Sequence, residues 1–161
     1  MFRSMRRFRQ ELSAKDTALI FETGSHGVLA VMSDGGYPYA VPLSYVFADG
    51  KLYFHCASEG YKLDALQHNS KASFCVVRRD TVVPERITSI YESAIAFGRA
   101  KVVGNDDEKR TALRYLAQKY SAVNGKKNEE EINSGWDRVC VISFEIEHMT
   151  GKASMELINS I

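Results

Sequence analysis

Two tight-turn signals, Asp34-Gly35-Gly36 and Asp49-Gly50, separate three runs of strand character and restrict this chain more than any other feature. The runs read HGVLAVMS (26–33), YPYAVPLSYVF (37–47) and KLYFHCA (51–57). Asp-Gly and Gly-Gly pairs supply the positive φ angles of short hairpin turns, so runs joined in this way are antiparallel neighbours. A parallel pairing needs a crossover of roughly a dozen residues or more, and these connections are too short for one.

The rest of the chain continues in the same manner. ASFCVVR (72–78), SIYESAIAFGRAKVV (89–103) and RVCVISFEIEH (138–148) have the β-branched and aromatic content of strands, and Gly98 marks a bend or a close backbone approach. Helices are predicted where apolar residues recur at helical spacing. One opens at Ser13 with Asp16 in the capping position and runs through Ile20 and Phe21; a short one covers 61–67; a longer one covers 106–120, with Ala112, Leu113, Leu116 and Tyr120 on one side. The polar stretch NGKKNEEEINSG (124–135) is expected to be a mobile excursion. Six strands with few helices predict a mainly β fold, a six-stranded antiparallel barrel with flanking helices, and 161 residues predict one domain spanning 1–161.

Charge narrows the functional classes. Lys and Arg exceed Asp and Glu by one, so no global field points to nucleic acid or a membrane surface. The local exception is MFRSMRRFRQ (1–10), a basic arm with Arg3, Arg6, Arg7 and Arg9 and no acid, expected to fray or to lie against a partner subunit. It lacks the apolar run of a signal peptide, and no stretch reaches the roughly 18 apolar residues of a membrane span. Cys56, Cys75 and Cys140 are odd in number and form no CxxC, the pattern of reduced cysteines in a cytoplasmic protein. His26, His55, His68 and His148 have no metal-ligand spacing, so no metal site is expected. There is no GxSxG elbow, GxGxxG or Walker motif.

Two stretches carry chemistry. In YPYAVPLSY (37–45), strand alternation sets Tyr37, Tyr39, Val41, Leu43 and Tyr45 on one face and the small Pro38, Ala40, Pro42 and Ser44 on the other. Proline cannot donate to a ladder, so Pro42 requires an edge, a bulge or an opening that could admit a flat ring; a plain edge strand would carry the same prolines. In YFHCASEGYKLDAL (53–66), a buried strand ends on His55 and passes through Cys56, Ala57 and Ser58 to a helix start at Gly60 that carries Lys62. Unpaired N–H groups, a hydroxyl and a lysine together suit a phosphate, although a solvated helix lysine and an ordinary strand histidine would read the same way.

These stretches, with GVLAV, DGGYPYAVPLSYVF, VVPERIT, SAIAFGRAKVV and the closing EHMTGKASMEL, resemble the flavin-binding split-barrel proteins related to pyridoxamine phosphate oxidase, and among them the 5-nitroimidazole resistance (Nim) proteins. The resemblance covers nearly the whole chain. It implies an FMN-binding split barrel that forms a homodimer with FMN at the interface. Val41, Pro42, Leu43 and Ser44 would line the flavin ring, His55 to Ser58 would follow its edge and ribityl chain, and Lys62 would hold the phosphate. Glu92 and Ser93 would approach from the second subunit. It further implies an oxidoreductase that passes electrons from NAD(P)H to a small nitroaromatic acceptor, with His55 as the catalytic side chain that orients the acceptor or relays a proton. Tyr61 stands where the oxidases proper carry an arginine, and their arginine-rich C-terminal segment is replaced by EHMTGK. Split barrels also serve as non-catalytic flavin-binding or haem-handling proteins, the alternative from another class.

Overall fold

The computed structural model describes residues 2–159. Seven strands form one antiparallel sheet: β1 His26–Met32, β2 Pro38–Ser44, β3 Val46–Ala48, β4 Lys51–Ala57, β5 Lys71–Val83, β6 Thr88–Val102 and β7 Val139–Ala153. Their order across the sheet is β2-β1-β5-β6-β7-β4-β3. The helices are α1 Ala14–Thr23, α2 Tyr61–His68, α3 Asp106–Ser121, α4 Gly125–Gly135 and α5 Met155–Ile158.

The expected six strands become seven because the run 37–47 is two strands. β2 pairs with β1, setting Pro42 opposite Val28, while β3 pairs with β4, setting Val46 opposite Tyr53. These are the two ends of the sheet, and the single residue Tyr45 joins them, so the sheet curls round until its ends meet. No ladder pairs β2 with β3, which leaves the barrel split at that seam. The phenol of Tyr120 on α3 serves the interrupted backbone. Its oxygen accepts the Tyr45 N–H at 3.0 Å, and its proton is shared between the carbonyls of Tyr45 at 2.8 Å and Ser25 at 2.5 Å. A backbone group left unpaired at a buried corner would be costly, and Tyr45 is fully buried. Both predicted turns form, with Asp49 at φ 52° and Gly50 at φ 73°, the left-handed pair of a type I′ hairpin.

The interior of the curl is filled by Leu29, Phe54, Phe74, Ile142 and Phe144, closed at one end by Ile20 and Phe21 of α1. Ser13 caps α1 as its spacing predicts, its Oγ accepting the Asp16 N–H at 3.1 Å. A second cluster lies outside the sheet, where α3 and α4 cover Tyr53 and Val141 with Leu113, Leu116 and Ile132.

Three expectations along the chain are corrected. The stretch 124–135 is not an excursion but holds α4, because Arg114 grips Glu129 with two hydrogen bonds of 2.7 and 3.0 Å and Ile132 is buried under α3. The last strand does not stop near His148 but continues to Ala153. A bulge in β7 opposite Phe97 and Gly98 shifts the alternation, so His148, Thr150 and Lys152 pair with Phe97, Ile95 and Ser93 in a new register. The basic arm does not fray but folds back on its own chain. Phe2 stacks on His148 at 4.5 Å, the Leu12 N–H donates to the Gly151 carbonyl at 2.9 Å, and the Glu11 backbone forms a β-bridge with that of Lys152, all within the same chain. Among the described residues, no helix is long and apolar enough to cross a membrane.

Candidate functional site

β2 is an end strand, where the N–H that Pro42 lacks is not needed on the open side. Its alternation is as read from the sequence: Tyr39, Val41 and Leu43 pack against the core, while Ala40, Pro42 and Ser44 are exposed. β4 alternates too. Leu52, Phe54 and Cys56 face the interior, and His55 and Ala57 lie exposed on the outer face beyond Tyr53.

Ser44 and His55 meet in one cleft. The sheet supplies Ser44, His55 and Val139, and the α3–α4 hairpin supplies an apolar wall that includes Leu116, Tyr120 and Ile132, around a volume of about 570 Å³. That size suits a small organic molecule, and the few polar groups in a largely apolar lining could orient it. Glu131 of α4 is the one carboxylate in this lining. No sequence signal placed α4 here, since a polar 11-residue helix carries only Ile132 as a buried anchor.

Just beyond the C-terminal end of β4, Gly60 precedes α2 at φ 135°, a left-handed conformation that glycine tolerates, with nothing within 4 Å of where a Cβ would stand. No side chain caps α2; the Leu63 and Asp64 N–H groups turn to the Gly60 carbonyl, and Lys62 stands in the first turn. Lys62 also acts on the strand: burial pushes the Cys56 thiol up to about 11, helped by Cys140 directly opposite in register, while the Lys62 charge pulls the other way. Ser58 stands exposed between them. The Tyr61 hydroxyl donates to Asp34 at 2.9 Å and its ring meets Tyr39 edge-on, so this residue fastens α2 to the first hairpin.

Glu92 and Ser93 are not brought into the cleft of Ser44 and His55. Glu92 is held by Arg78, whose Nε donates at 2.8 Å and whose second nitrogen closes a bidentate pair. Ser93 lies on the outer face of β6, in register with Val77 and Lys152, and continues into the exposed Ile95 and Phe97.

The family model described as pyridoxamine 5'-phosphate oxidase matches residues 13–153. The chain belongs to the pyridoxamine 5'-phosphate oxidase family. No curated protein sequence matches it. Among solved structures, a candidate 5-nitroimidazole antibiotic resistance protein from Bacteroides thetaiotaomicron aligns at 22% identity and TM-score 0.74 over 89% of this chain and 86% of that one. An FAD and heme binding protein from Mycobacterium smegmatis aligns at 21% identity and TM-score 0.77, over 91% and 73%. An FAD-binding protein from Mesorhizobium loti aligns at 21% and 0.66, over 90% and 97%. At these identities the likeness is one of fold.

Within a pyridoxamine 5'-phosphate oxidase family barrel, the positions read from the sequence fall into three separate places on this chain. Ser44 and His55 share the cleft, Cys56 to Lys62 form the strand-to-helix turn, and Ser93 sits on the outer face of β6, with its neighbour Glu92 turned to the opposite face and held there by Arg78. Among the described residues, no cluster of His, Cys, Asp or Glu could hold a metal ion.

Proposed function

We propose that this chain is a flavin-dependent reductase of the nitroimidazole resistance type, which takes electrons from NAD(P)H and reduces a nitroaromatic or similar small acceptor. The carrying observation is the uncapped start of α2, with Gly60 open and Lys62 beside it, fastened by Tyr61 to the first hairpin. These residues fit FMN. Lys62 and the first N–H groups of α2 would hold its phosphate, Val41, Pro42, Leu43 and Ser44 would border the ring, and Cys56 to Ser58 would follow the chain between them. When bound, the flavin supplies hydride acceptance from a nicotinamide and onward transfer to an acceptor. The apolar wall of α3 and α4 would exclude water from an aromatic acceptor in the cleft, and the His55 imidazole would orient its nitro group and hold a proton for it.

The protein would work as a homodimer in which Ser93 of one copy approaches the flavin of the other, a reading supported by the exposed Ile95 and Phe97 that continue its face of β6. The rival reading is a flavin-binding or haem-handling protein without turnover, favoured by the fold likeness to the FAD and heme binding protein. Rapid mixing tests the reductase. His55→Ala should keep its flavin bands and its rate of reduction by NAD(P)H, while reoxidation by a 5-nitroimidazole slows by about a hundredfold. Equal reoxidation by variant and native protein removes His55 from the reaction, and a haem band with no reoxidation by any nitro compound favours the rival.

A further inference from the structure

The folded-back arm creates a second polar cleft that the flavin reading does not use. Arg6 and Arg7 from the arm, Lys152 from β7 and the Tyr91 ring from β6 surround a volume of about 460 Å³, with no carboxylate among the described lining residues. Four arginines elsewhere, Arg78, Arg86, Arg99 and Arg114, each rest on a glutamate at hydrogen-bond distance. No carboxylate among the described residues pairs with Arg6, Arg7 or Lys152. Three like charges around one cleft repel one another, and the repulsion is relieved when an anion enters.

The arm's backbone is fastened beside the cleft. The Glu11 backbone forms an antiparallel β-bridge with that of Lys152, the Leu12 N–H reaches Gly151 at 2.9 Å, and the buried Gln10 accepts the Tyr91 hydroxyl at 3.2 Å. Each anchor flanks the cleft, so the arm is fastened at the place where its charges crowd Lys152. Two guanidinium forks and an ammonium offer many donors and no acceptor, the complement of a phosphate oxygen cluster. Lys152 is also in register with Ser93, the residue expected to face flavin across the subunit interface.

We infer that Arg6, Arg7 and Lys152 form a second phosphate site, separate from the one at Lys62, which takes the additional phosphate of a bound nucleotide. That phosphate has two sources, the second phosphate of FAD or the ribose phosphate of NADPH. The choice of a nucleotide rests on the flavin reading above; the anion site itself does not.

Calorimetric titration of the full-length protein with inorganic pyrophosphate, FMN, FAD, NADH and NADPH tests it. Pyrophosphate should bind the native protein and bind Arg6→Gln/Lys152→Gln at least about tenfold more weakly, with melting temperature and FMN affinity unchanged. A native preference for FAD over FMN that the variant loses assigns the flavin source; a lost preference for NADPH over NADH assigns the other. Pyrophosphate binding that is absent, or equal in both proteins, overturns the site. A variant that turns monomeric also overturns it, because the cations then serve a partner subunit's acid. Pyrophosphate binding lost in the variant, with no flavin bound by either protein, keeps the anion site and discards the flavin reading.

Discussion

Lys119 brings its ammonium to 4.0 Å from the centre of the Tyr45 ring, where no hydrogen-bond acceptor among the described residues reaches it. Burial lowers its proton affinity to about 8, against 10.5 for a free lysine. The unfolded chain therefore binds more protons between these two values, and the linkage sign is positive: this residue's contribution to stability rises with pH from about 8 to 10.5. Below pH 8 the penalty of a desolvated charge is present in full. Lys119→Met should be more stable than the native protein near pH 7, and urea denaturation should show the difference shrinking as pH rises through that window. A constant difference would mean that the ammonium is solvated in the folded state. Tyr120, one position on, has the opposite character, since its hydroxyl completes three hydrogen bonds that no other side chain could supply to the Tyr45 corner.

At the scale of elements, the bulge between β6 and β7 decides where the site can be. A Cβ on Gly98 would stand 1.9 Å from the Glu145 carbonyl oxygen, too close for any small adjustment of a side chain to relieve, because the obstacle is backbone. Gly98→Ala should therefore lower stability by about 3 kcal/mol or more, measured by chemical denaturation. Gly60→Ala, strained by its φ of 135° but unobstructed, should cost less and act on flavin affinity instead. The bulge also turns β7 over: its first half faces α3 with Val141 and Ser143 buried, and its second half puts Lys152 on the face that carries Ser93. The α3–α4 hairpin ends its cover of the sheet at the cleft, and that is why His55 rather than Tyr53 is open to a ligand.

Seen as a whole, the barrel leaves one outer face exposed except where Phe2 of the arm lies against Phe97 and His148. Rows of cross-strand neighbours run Pro42, Val28, Cys75, Ile95 and Ala40, Ala30, Ser73, Phe97, with Ile95 38% and Phe97 39% exposed and Val77 56%. A contiguous apolar patch of this kind marks an interaction surface. Because Ser93 lies at its margin, a second copy seated there would complete the homodimer proposed for flavin binding. Light scattering should then give twice the chain mass, and dilution should release flavin together with the subunits. Ile95→Asp should give a monomer that has lost most of its flavin. A native monomer with full flavin occupancy would refute the arrangement.

By itself the sequence determined the antiparallel class, the two hairpin turns, the Ser13 cap, the inward and outward faces of β2 and the close approach at Gly98. Each depends on a local rule, a turn residue's φ, an alternation of two or a cap spacing, that acts between residues a few positions apart. Only the tertiary structure decided that the run 37–47 divides at Tyr45, since the hydroxyl that rescues the broken ladder comes from Tyr120, far along the chain. The same holds for α4, held by Arg114 across a helix pair, and for β7 beyond His148, whose alternation is reset by a bulge against β6. It holds as well for the site. Ser44 and His55 share a cleft because an apolar hairpin folds over the sheet, and Arg6 and Arg7 meet Lys152 because Glu11 and Leu12 dock on β7. Such contacts join residues whose separation in the chain no periodicity records, so only folding brings their charges and hydrogen-bonding groups within range of one another.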